Sequence, residues 1–408
     1  MSLTFVHTAD WQLGARFAQF SEQAPQLRQV RLDTLSRALG VAREKEVDAF
    51  MIAGDLFEDN QVDDALIEEV VALFEGAAPL PILISPGNHD PYTGPDSVWD
   101  RRALLSASSH IHVFREASIF PLGSGHVLAA PLQQKVSTLD PSLALDELAQ
   151  TLPAGEIKIG MTHGALAIPG KHQANDFPID LQAASRAGLD YLALGHWHQW
   201  QTYDEGRIVM PGTPEPDDFG QERAGNVSLV RIATAGDPPD VESVPVAAME
   251  WHLVSYPFDH LEESRARVQA LLKDLGSRID RAIVRVHLTA VAGDQQRAVE
   301  SEWLHRAFGD AFSLTFRDDA LTRLSAAELS LLREEHPLIE LVLNDLERIQ
   351  QLLAEDGGRE SPGSASSLNL AELQHLLETS KIPLASLTPS HLEEAREGIL
   401  AALRKVAS

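Results

Sequence analysis

The sequence predicts a layered α/β domain of mixed sheets flanked by helices, followed by a small α+β module and a helical C-terminal region. Three observations lead to this fold class. Residues 1 to about 235 alternate short apolar runs with amphipathic stretches, as α/β domains do. A turn region rich in Gly and Pro follows at residues 235–239, and from residue 326 the apolar spacing is mostly helical. We therefore expect domains at residues 1–235, 236–325 and 326–408.

The first domain begins with a strand and a helix and then adds further strands. Residues 3–8 read as the first strand, and apolar residues at near-helical spacing over residues 27–42 predict the first helix. Short apolar runs predict further strands at residues 49–53, 82–85, 158–162, 191–194 and 207–210. Polar clusters containing Gly, His, Asp or Asn follow most of these runs. Such clusters lie at one edge of a sheet, where open α/β sheets gather their ligands.

The small module and the C-terminal region have a different pattern of predicted strands and helices. Residues 241–255 read as paired β structure. Helices at residues 261–275 and 298–308 then alternate with strands at residues 282–288 and 312–316. Later helices are predicted at residues 338–353, 371–379 and 389–406, with a flexible linker rich in Gly and Ser at residues 356–367.

Composition and charge limit the function classes. Among 408 residues, 33 are Lys or Arg and 60 are Asp or Glu, which gives a formal net charge of −27. This balance argues against a protein that coats nucleic acid, because non-specific affinity comes largely from Lys and Arg. The chain has no cysteine, which excludes disulfides and thiolate metal sites and suits a reducing cytoplasm. Neither a signal peptide nor a bilayer-spanning run is recognisable, so we expect a cytoplasmic protein without a membrane partner.

Five polar clusters carry the chemistry of the first domain. They are His7 to Gln12, Gly54 to Phe57, Gly87 to Asp90, Thr162 to Gly164 and Gly195 to His198. Taken singly, each is a weak signal: a Gly-Asp pair after a strand is most often a turn, and His7 reads as a packed core histidine. Together in one domain they predict a site for an ion such as Mn²⁺, Fe²⁺ or Zn²⁺, because they offer carboxylate, amide and imidazole ligands without sulfur.

In this order, the clusters resemble the calcineurin-like metallophosphoesterase superfamily, whose pattern is D-x-H, G-D, G-N-H-D, H and G-H-x-H. The segments HTADWQLG, AGDLFE, SPGNHDPY and LALGHWHQ further resemble the SbcD-type DNA repair exonucleases, the bacterial relatives of the meiotic recombination nuclease. Residues 210–216, with Phe219, resemble the segment that closes the phosphoesterase domain in that family. The resemblance covers residues 1 to about 230.

The resemblance implies a centre with two divalent metal ions, with Mn²⁺ expected first and Mg²⁺, Fe²⁺ or Zn²⁺ as alternatives. Asp55 would bridge the two ions. His89 would contact the scissile phosphate and help to protonate the leaving oxygen, and Asp90 would fix the tautomer of His89. The ligands implied besides Asp55 are Asp10, Gln12 and His198 for one ion and Asn88, His163 and His196 for the other.

Gln12 stands where the D-x-H pattern has a histidine. A glutamine amide oxygen can ligate a hard ion, but it is a weaker donor than imidazole and suits Mn²⁺ or Mg²⁺ better than Zn²⁺. We therefore predict that the metal site containing Asp10 binds its ion weakly. Two alternatives stay open. Gln12 could hold a bound water or a contact outside the ligand set, with activity unaffected. Alternatively, the first metal site is empty and the protein is a degenerate relative.

Basic residues are concentrated in the small module of an otherwise acidic chain. The resemblance implies that this module positions DNA over the metal ions. The alternative is that these residues lie on solvent-exposed faces of a helix and an edge strand, and Glu262 and Glu263 already reduce the excess of positive charge. Between residues 265 and 285, two acidic residues are outnumbered by Arg265, Arg267, Lys273, Arg278, Arg281 and Arg285.

The predicted C-terminal helices carry apolar stripes that fit a groove on a partner. The resemblance implies that this partner is an SMC-like coiled-coil ATPase. The alternative is that the helices fold back on the small module. The resemblance also allows a homodimer, although the sequence shows no self-complementary surface.

The most direct interpretation is a Mn²⁺-dependent DNA exonuclease or endonuclease that acts on duplex ends in DNA repair together with that ATPase. A phosphatase or cyclic-nucleotide phosphodiesterase with the same metal centre is an alternative, but it would not need the additional C-terminal residues. The third interpretation is a non-catalytic scaffold that binds DNA ends or regulates an ATPase, and Gln12 is its only support.

Overall fold

A computed structural model describes residues 2–171 and 173–322 of the chain. The described residues divide into two compact units, and the division falls between Trp251 and His252. In chain order, the strands of the first unit are β1 (Leu3–Thr8), β2 (Ala49–Ala53), β3 (Ile82–Ser85), β4 (Ile111–Val113), β5 (Ser118–Leu122), β6 (Gly125–Ala130), β7 (Ile157–His163), β8 (Tyr191–Gly195), β9 (Gln201–Tyr203), β10 (Ile208–Met210), β11 (Asn226–Ile232) and β12 (Asp240–Pro245). Its helices are α1 (Ala24–Glu44), α2 (Asp64–Glu75), α3 (Arg102–Leu105), α4 (Leu143–Gln150) and α5 (Ala183–Ala187), with short 3₁₀ helices at Ala18–Gln23, Val98–Asp100 and Asp204–Gly206.

The described strands of this unit form two mixed sheets of six strands each. The first sheet has the order β12-β11-β1-β2-β3-β4, in which β1 to β4 are parallel and β11 and β12 are antiparallel additions. The second sheet has the order β5-β6-β7-β8-β10-β9, in which β6, β7, β8 and β10 are parallel and β5 and β9 are antiparallel edges. Phe5 lies opposite Ala49 in the first sheet, and Met161 lies opposite Ala193 in the second.

The two sheets share one apolar core, and helices cover their other faces. Strand β2 shows why: its five residues are all buried, as expected for a strand enclosed on both sides. Met51 packs in the same cluster as Tyr191 of the second sheet, whereas Ile52 points the other way and packs with Leu35 of α1. Helices α4 and α5 cover the outer face of the second sheet in the same manner. The predicted layered α/β fold is confirmed.

The second unit is a small α+β structure. In chain order its described elements are β13 (Glu250–Pro257), α6 (Leu261–Leu275), β14 (Ala282–Thr289), β15 (Val291–Ala292), α7 (Asp294–Ala307), β16 (Ser313–Asp318) and β17 (Leu321–Thr322), with 3₁₀ helices at Phe258–His260 and Gly276–Arg281. One described sheet has the order β13-β14-β16, and β15 pairs with β17. Buried apolar side chains of α6, α7 and this sheet form its core, including Val268, Val284 and Leu304.

One predicted boundary differs from the structure. The sequence predicts a boundary at residue 235, with residues 241–255 as paired β structure of the small module. Instead, β12 pairs with β11 and completes the first sheet, while β13 belongs to the sheet of the second unit. The chain therefore passes from the first unit to the second between Trp251 and His252, because the hydrogen bonds of β12 tie it to the first unit.

The predicted helices after residue 326 and the linker at residues 356–367 lie outside the described residues. None of the helices within residues 2–171 and 173–322 combines the length and the apolar character that crossing a membrane requires.

Candidate metal centre

Polar side chains gather where parallel strands of both sheets end. Asp10 follows β1 and Asp55 follows β2, while residues 87–90 come just after β3. His163 is the last residue of β7, and residues 196–198 follow β8. The turns that carry them have unusual backbone conformations. The torsion φ is positive at four of these residues: 56° at Asp10, 44° at Gln12, 54° at Asp55 and 114° at His196. Strain of this kind is found at functional sites, where the surrounding structure holds it in place.

Two glycines allow the turns to approach one another closely. Gly54 has a φ of +95°, and a Cβ atom placed on it would lie 2.1 Å from His163 Nδ1. A Cβ atom on Gly87 would lie 2.2 Å from Asp55 Oδ1. Neither position can hold a side chain without displacing a predicted metal ligand.

Asp10 and Asp55 place two buried carboxylates side by side, with 0% and 2% of their surface exposed. Ligand atoms of these two residues and of His163 all lie within 4.8 Å of one another. In the part of the chain that the structure describes, neither carboxylate forms an ion pair with Lys or Arg. Because buried negative charge needs a compensating cation, and oxygen and imidazole donors suit divalent ions, these residues fit a metal site.

In the metal-free protein, bound protons and the positive charge of an imidazole compensate the negative charge of the two buried carboxylates. Burial raises the pKa of Asp10, although His163 and His198 oppose the shift. Burial acts on Asp55 in the same direction, but the charge and hydrogen bond of His163 outweigh it and lower the pKa of Asp55 to about 2. Burial by itself would lower the pKa of His163, but Asp55 raises it to about 9. The cluster therefore holds one positive charge on His163 at neutral pH, at the place where a cation fits.

Asn88 connects His163 with His196. His163 Nδ1 donates to the carbonyl of Ala53 at 2.9 Å, which leaves Nε2 as its ligating nitrogen. This Nε2 lies 2.8 Å from Asn88 Oδ1 and 3.3 Å from Asp55 Oδ2. His196 Nδ1 lies 3.1 Å from the same Asn88 oxygen. The four side chains thus direct potential ligand atoms toward one place.

Gln12 and His198 adjoin Asp10 on the other side of the cluster. The amide nitrogen of Gln12 donates to His198 Nε2 at 3.2 Å. Gln12 is only 5% exposed, so its amide belongs to the wall of the site. The carboxylate of Asp10 accepts the backbone N–H of His196 at 2.9 and 3.0 Å. The seven side chains predicted as ligands are therefore carried by turns that contact one another, and among them Asp10, Asp55 and His163 bring ligand atoms within 4.8 Å of one another.

His89 and Asp90 occupy the turn after β3, but their partners differ from the expected ones. The His89 backbone N–H donates to Asp55 Oδ1 at 2.9 Å, and His89 Nδ1 donates to the carbonyl of Glu58 at 3.0 Å. Asp90 instead accepts the backbone N–H of Gly87 at 2.7 Å and that of Phe57 at 2.9 Å. A backbone carbonyl, and not the carboxylate of Asp90, therefore orients the His89 ring.

Asp90 ties the turn after β2 to the turn after β3 through those two backbone hydrogen bonds. It is fully buried, and burial together with the charge of Asp55 raises the pKa of Asp90 to about 7. Its position indicates that it holds the ligand loops in register.

Comparison with known proteins agrees with this geometry. A model of the family described as Calcineurin-like phosphoesterase matches residues 3–200, which include all seven predicted ligands. The chain carries a calcineurin-like phosphoesterase domain.

Proteins similar to this chain include named nucleases at low identity. The D subunit of the nuclease SbcCD of Bacillus subtilis (strain 168) is 24% identical over 272 residues, which are 57% of this chain and 66% of that protein. The "DNA double-strand break repair protein Mre11" of Sulfurisphaera tokodaii is 25% identical over 280 residues, 63% of this chain and 66% of that protein. The chain thus spans slightly less than two thirds of the length of these relatives. Among solved structures, TT1561 of Thermus thermophilus has a TM-score of 0.38 and 13% identity, and covers 60% of this chain and 100% of that structure.

The structure of the phosphoesterase domain also shows functional candidates that the sequence motifs did not indicate. Asp176 Oδ2 lies 3.0 Å from His196 Nε2, and Asp217 Oδ1 lies 3.4 Å from His198 Nδ1. Each carboxylate thus faces the ring nitrogen of a predicted ligand that points away from the cluster. The only sequence signal near either residue is the segment at residues 210–216, which directly precedes Asp217.

The basic residues predicted to bind DNA belong to the second unit, and they divide into exposed and half-buried residues. Arg265 is already occupied: its guanidinium donates to Glu300 at 3.0 and 2.6 Å and lies 5.2 Å from the centroid of the Trp303 ring. Arg278 donates to the backbone and side chain of Asp274. The exposed members of the set are Arg267, Lys273, Arg278 and Arg281, whereas Arg265 and Arg285 are half-buried.

Proposed function

We propose that the chain is a divalent-metal-dependent DNA nuclease, an exonuclease or endonuclease that hydrolyses phosphodiester bonds at duplex ends in DNA repair. The observation that carries this proposal is the gathering of seven candidate ligands around two buried carboxylates in a phosphoesterase domain. The names of the relatives support the choice of DNA as substrate. Mn²⁺ is our proposed ion, because the set combines oxygen donors with imidazole and contains a glutamine in place of a histidine.

Two ions would be held by ligands that share Asp55. The first ion would take Asp10, Gln12 and His198, and the second Asn88, His163 and His196. Bound there, divalent ions supply Lewis-acid activation of the phosphodiester and of the attacking water. The protein contributes the fixed geometry: the strand ends and the two close-packed glycine turns hold the ligands in place before substrate arrives.

His89 is the proposed proton donor to the leaving oxygen. Its Nδ1–H is committed to the carbonyl of Glu58, so Nε2 is the atom that a protonated ring presents to substrate. Its backbone N–H holds Asp55, which ties the donor to the proposed bridging ligand. His89 is only half-buried, and this exposure allows a phosphodiester to reach it.

We further propose that the second unit helps to hold DNA and that an SMC-like coiled-coil ATPase is the partner. The exposed basic residues Arg267, Lys273, Arg278 and Arg281 support the first point, since phosphate contacts come from exposed Lys and Arg. Arg265 does not belong to this group, because it is half-buried and its guanidinium donates to the buried carboxylate of Glu300, whereas the partner of Arg278, Asp274, is itself exposed. The name of the Bacillus subtilis relative as one part of SbcCD supports the second point. A homodimer and a cytoplasmic location stay predictions.

A substrate panel tests the proposed function. The purified protein with Mn²⁺ is given an end-labelled linear DNA duplex, bis-p-nitrophenyl phosphate, p-nitrophenyl phosphate and 2′,3′-cyclic AMP. We expect hydrolysis of the duplex and of the phosphodiester bis-p-nitrophenyl phosphate. Preferential hydrolysis of the monoester or of the cyclic nucleotide would favour a phosphatase or cyclic-nucleotide phosphodiesterase. Inactivity on all four substrates would favour the non-catalytic scaffold.

A further inference from the structure

Asp217 contacts one predicted metal ligand from outside the cluster. Its Oδ1 lies 3.4 Å from His198 Nδ1, the nitrogen opposite the one that faces Gln12. A carboxylate on the remote nitrogen of a histidine keeps the proton on that nitrogen, fixes the ring orientation and makes the other nitrogen a better metal donor. Asp217 is therefore placed to prepare His198 Nε2 for an ion.

A buried arginine holds Asp217 in this place. Arg31 is 1% exposed, and its Nη2 lies 3.2 Å from Asp217 Oδ2. Its Nη1 donates to the carbonyl of Trp11, which lies between Asp10 and Gln12 in the chain. One guanidinium thus joins the turn that carries two candidate ligands to the loop that carries Asp217.

Gln221 fixes the same carboxylate from the other side. Its Nε2 donates to Asp217 Oδ1 at 2.7 Å, and its Oε1 accepts the backbone N–H of Asp217 at 3.1 Å. With both oxygens engaged, Asp217 has little freedom to swing away from His198. This restraint distinguishes Asp217 from a surface carboxylate that lies near a histidine without being held there.

We propose that Asp217 is a positioning residue for the metal site formed by Asp10, Gln12 and His198, and that it offsets the weak donor that Gln12 supplies. This inference rests on the proposed metal-dependent function. His196 has a less restrained arrangement. Asp176 faces its Nε2 at 3.0 Å, yet Asp176 is 32% exposed, compared with 18% for Asp217. The site with the weaker ligand set therefore has the more firmly held carboxylate.

Mn²⁺ titration by calorimetry tests the proposal without relying on activity. For the wild type we expect two binding events. Asp217→Asn should weaken one of them by about 10- to 100-fold, the usual effect of removing a carboxylate behind a metal-bound histidine, and leave the other within about twofold. Asp176→Asn should weaken the other event instead. Asp218→Asn is the matched control, because it removes the neighbouring exposed carboxylate and should leave both affinities unchanged.

A purely structural role for Asp217 predicts a different pattern. Asp217→Asn leaves Arg31 buried without its ion-pair partner, and that alone destabilises the fold. If the single variant does not fold, the double variant Arg31→Met with Asp217→Asn removes both charges, and Arg31→Met alone is its control. Selective weakening of one event in the double variant supports the proposal. Equal affinities in wild type and variant, or equal weakening of both events, would overturn it. A wild type that binds no Mn²⁺ would overturn the proposed function itself, and this inference with it.

Discussion

Gln12 is the residue at which the metal centre departs from the pattern of its family. Its amide lies 3.2 Å from His198 Nε2 in the wall of the site, so a ligand role requires the amide oxygen to face the ion. Amide oxygen is a weaker donor than imidazole for most divalent metals of this kind. Replacement by histidine should therefore strengthen the site.

Gln12→His is expected to lower the Mn²⁺ concentration needed for half-maximal hydrolysis of bis-p-nitrophenyl phosphate by roughly tenfold or more. The measurement is a Mn²⁺ titration of activity in wild type and variant. An unchanged half-saturation would show that Gln12 does not limit metal binding. A wild type that is inactive at all Mn²⁺ concentrations, with an active variant, would indicate an empty first site.

His7 is a second residue with a testable consequence, since it is buried and lies outside the ligand set. Its Nδ1 lies 2.8 Å from the hydroxyl of Tyr191, and burial lowers the pKa of His7 to about 3. The unfolded chain binds a proton at His7 below about pH 6.5, whereas the folded chain does not. The free energy of unfolding should therefore fall as the pH drops below this value, by roughly 2 kcal/mol at pH 5 from this residue.

His7→Asn tests this, because asparagine keeps a polar group near Tyr191 but cannot take up the proton. We expect the variant to lose less stability than the wild type between pH 7.5 and pH 5. The measurement is urea unfolding of both proteins in metal-free buffer at the two pH values. Equal losses would contradict the assignment of a neutral, buried His7.

The sequence was sufficient to predict the residues of the cluster, and the reason is local. Asp10, Asp55, Asn88 and the three histidines each follow an apolar run within a few residues, so the chain itself places them at strand ends. Asp176 and Asp217 could not be found this way, because each reaches its histidine through a loop. The ion pair between Arg265 and Glu300 could not be predicted from the sequence either, since the two residues are 35 positions apart.

The turn between β2 and the predicted ligand Asp55 limits which substitutions the chain can tolerate. Gly54 and Gly94 have the same φ of +95°, but only Gly54 has a neighbour in the way. A Cβ atom on Gly94 meets nothing within 4 Å, whereas one on Gly54 meets His163 Nδ1. Comparing alanine substitutions at Gly94 and Gly54 therefore separates the free-energy cost of the backbone conformation from that of the steric clash.

Gly94→Ala should cost about 1–3 kcal/mol of unfolding free energy through backbone strain. Gly54→Ala should cost at least about 2 kcal/mol more, because the methyl group displaces the His163 ring, and it should also weaken Mn²⁺ binding. Urea unfolding and calorimetric Mn²⁺ titration of the two variants check this. Similar stabilities and affinities for both would show that the turn can move aside.

The element bounds themselves were predicted best for strands enclosed on both faces. Strands β1, β2 and β3 and helix α6 match their predicted ranges, because continuous apolar runs or helical spacing mark them. The domain boundary predicted at residue 235 differs from the observed division for a physical reason. Strand β12 pairs with β11, the strand directly before it in the chain, and so stays in the first sheet, whereas β13 pairs with β14. The spacing of apolar residues does not indicate which of its neighbours a strand will pair with.

The second unit is expected to supply DNA affinity and the first unit the chemistry. Charge reversal of Arg278 and Arg281 should weaken binding to a DNA duplex by about tenfold or more at moderate salt, because two phosphate contacts are replaced by repulsion. Hydrolysis of bis-p-nitrophenyl phosphate should not change. Arg306→Glu, a reversal of an exposed arginine on α7 of the same unit, is the matched control. Equal loss in both assays would contradict this division of labour.

The cluster around Asp55 is the proposed metal centre of a nuclease. The most direct measurement is Mn²⁺-dependent degradation of an end-labelled linear duplex by the wild type and by Asp55→Asn. Asparagine has nearly the shape of aspartate but lacks the charge proposed to bridge two ions. We predict degradation by the wild type and none by a folded Asp55→Asn variant. Equal degradation by both proteins would place the activity elsewhere and contradict the assignment.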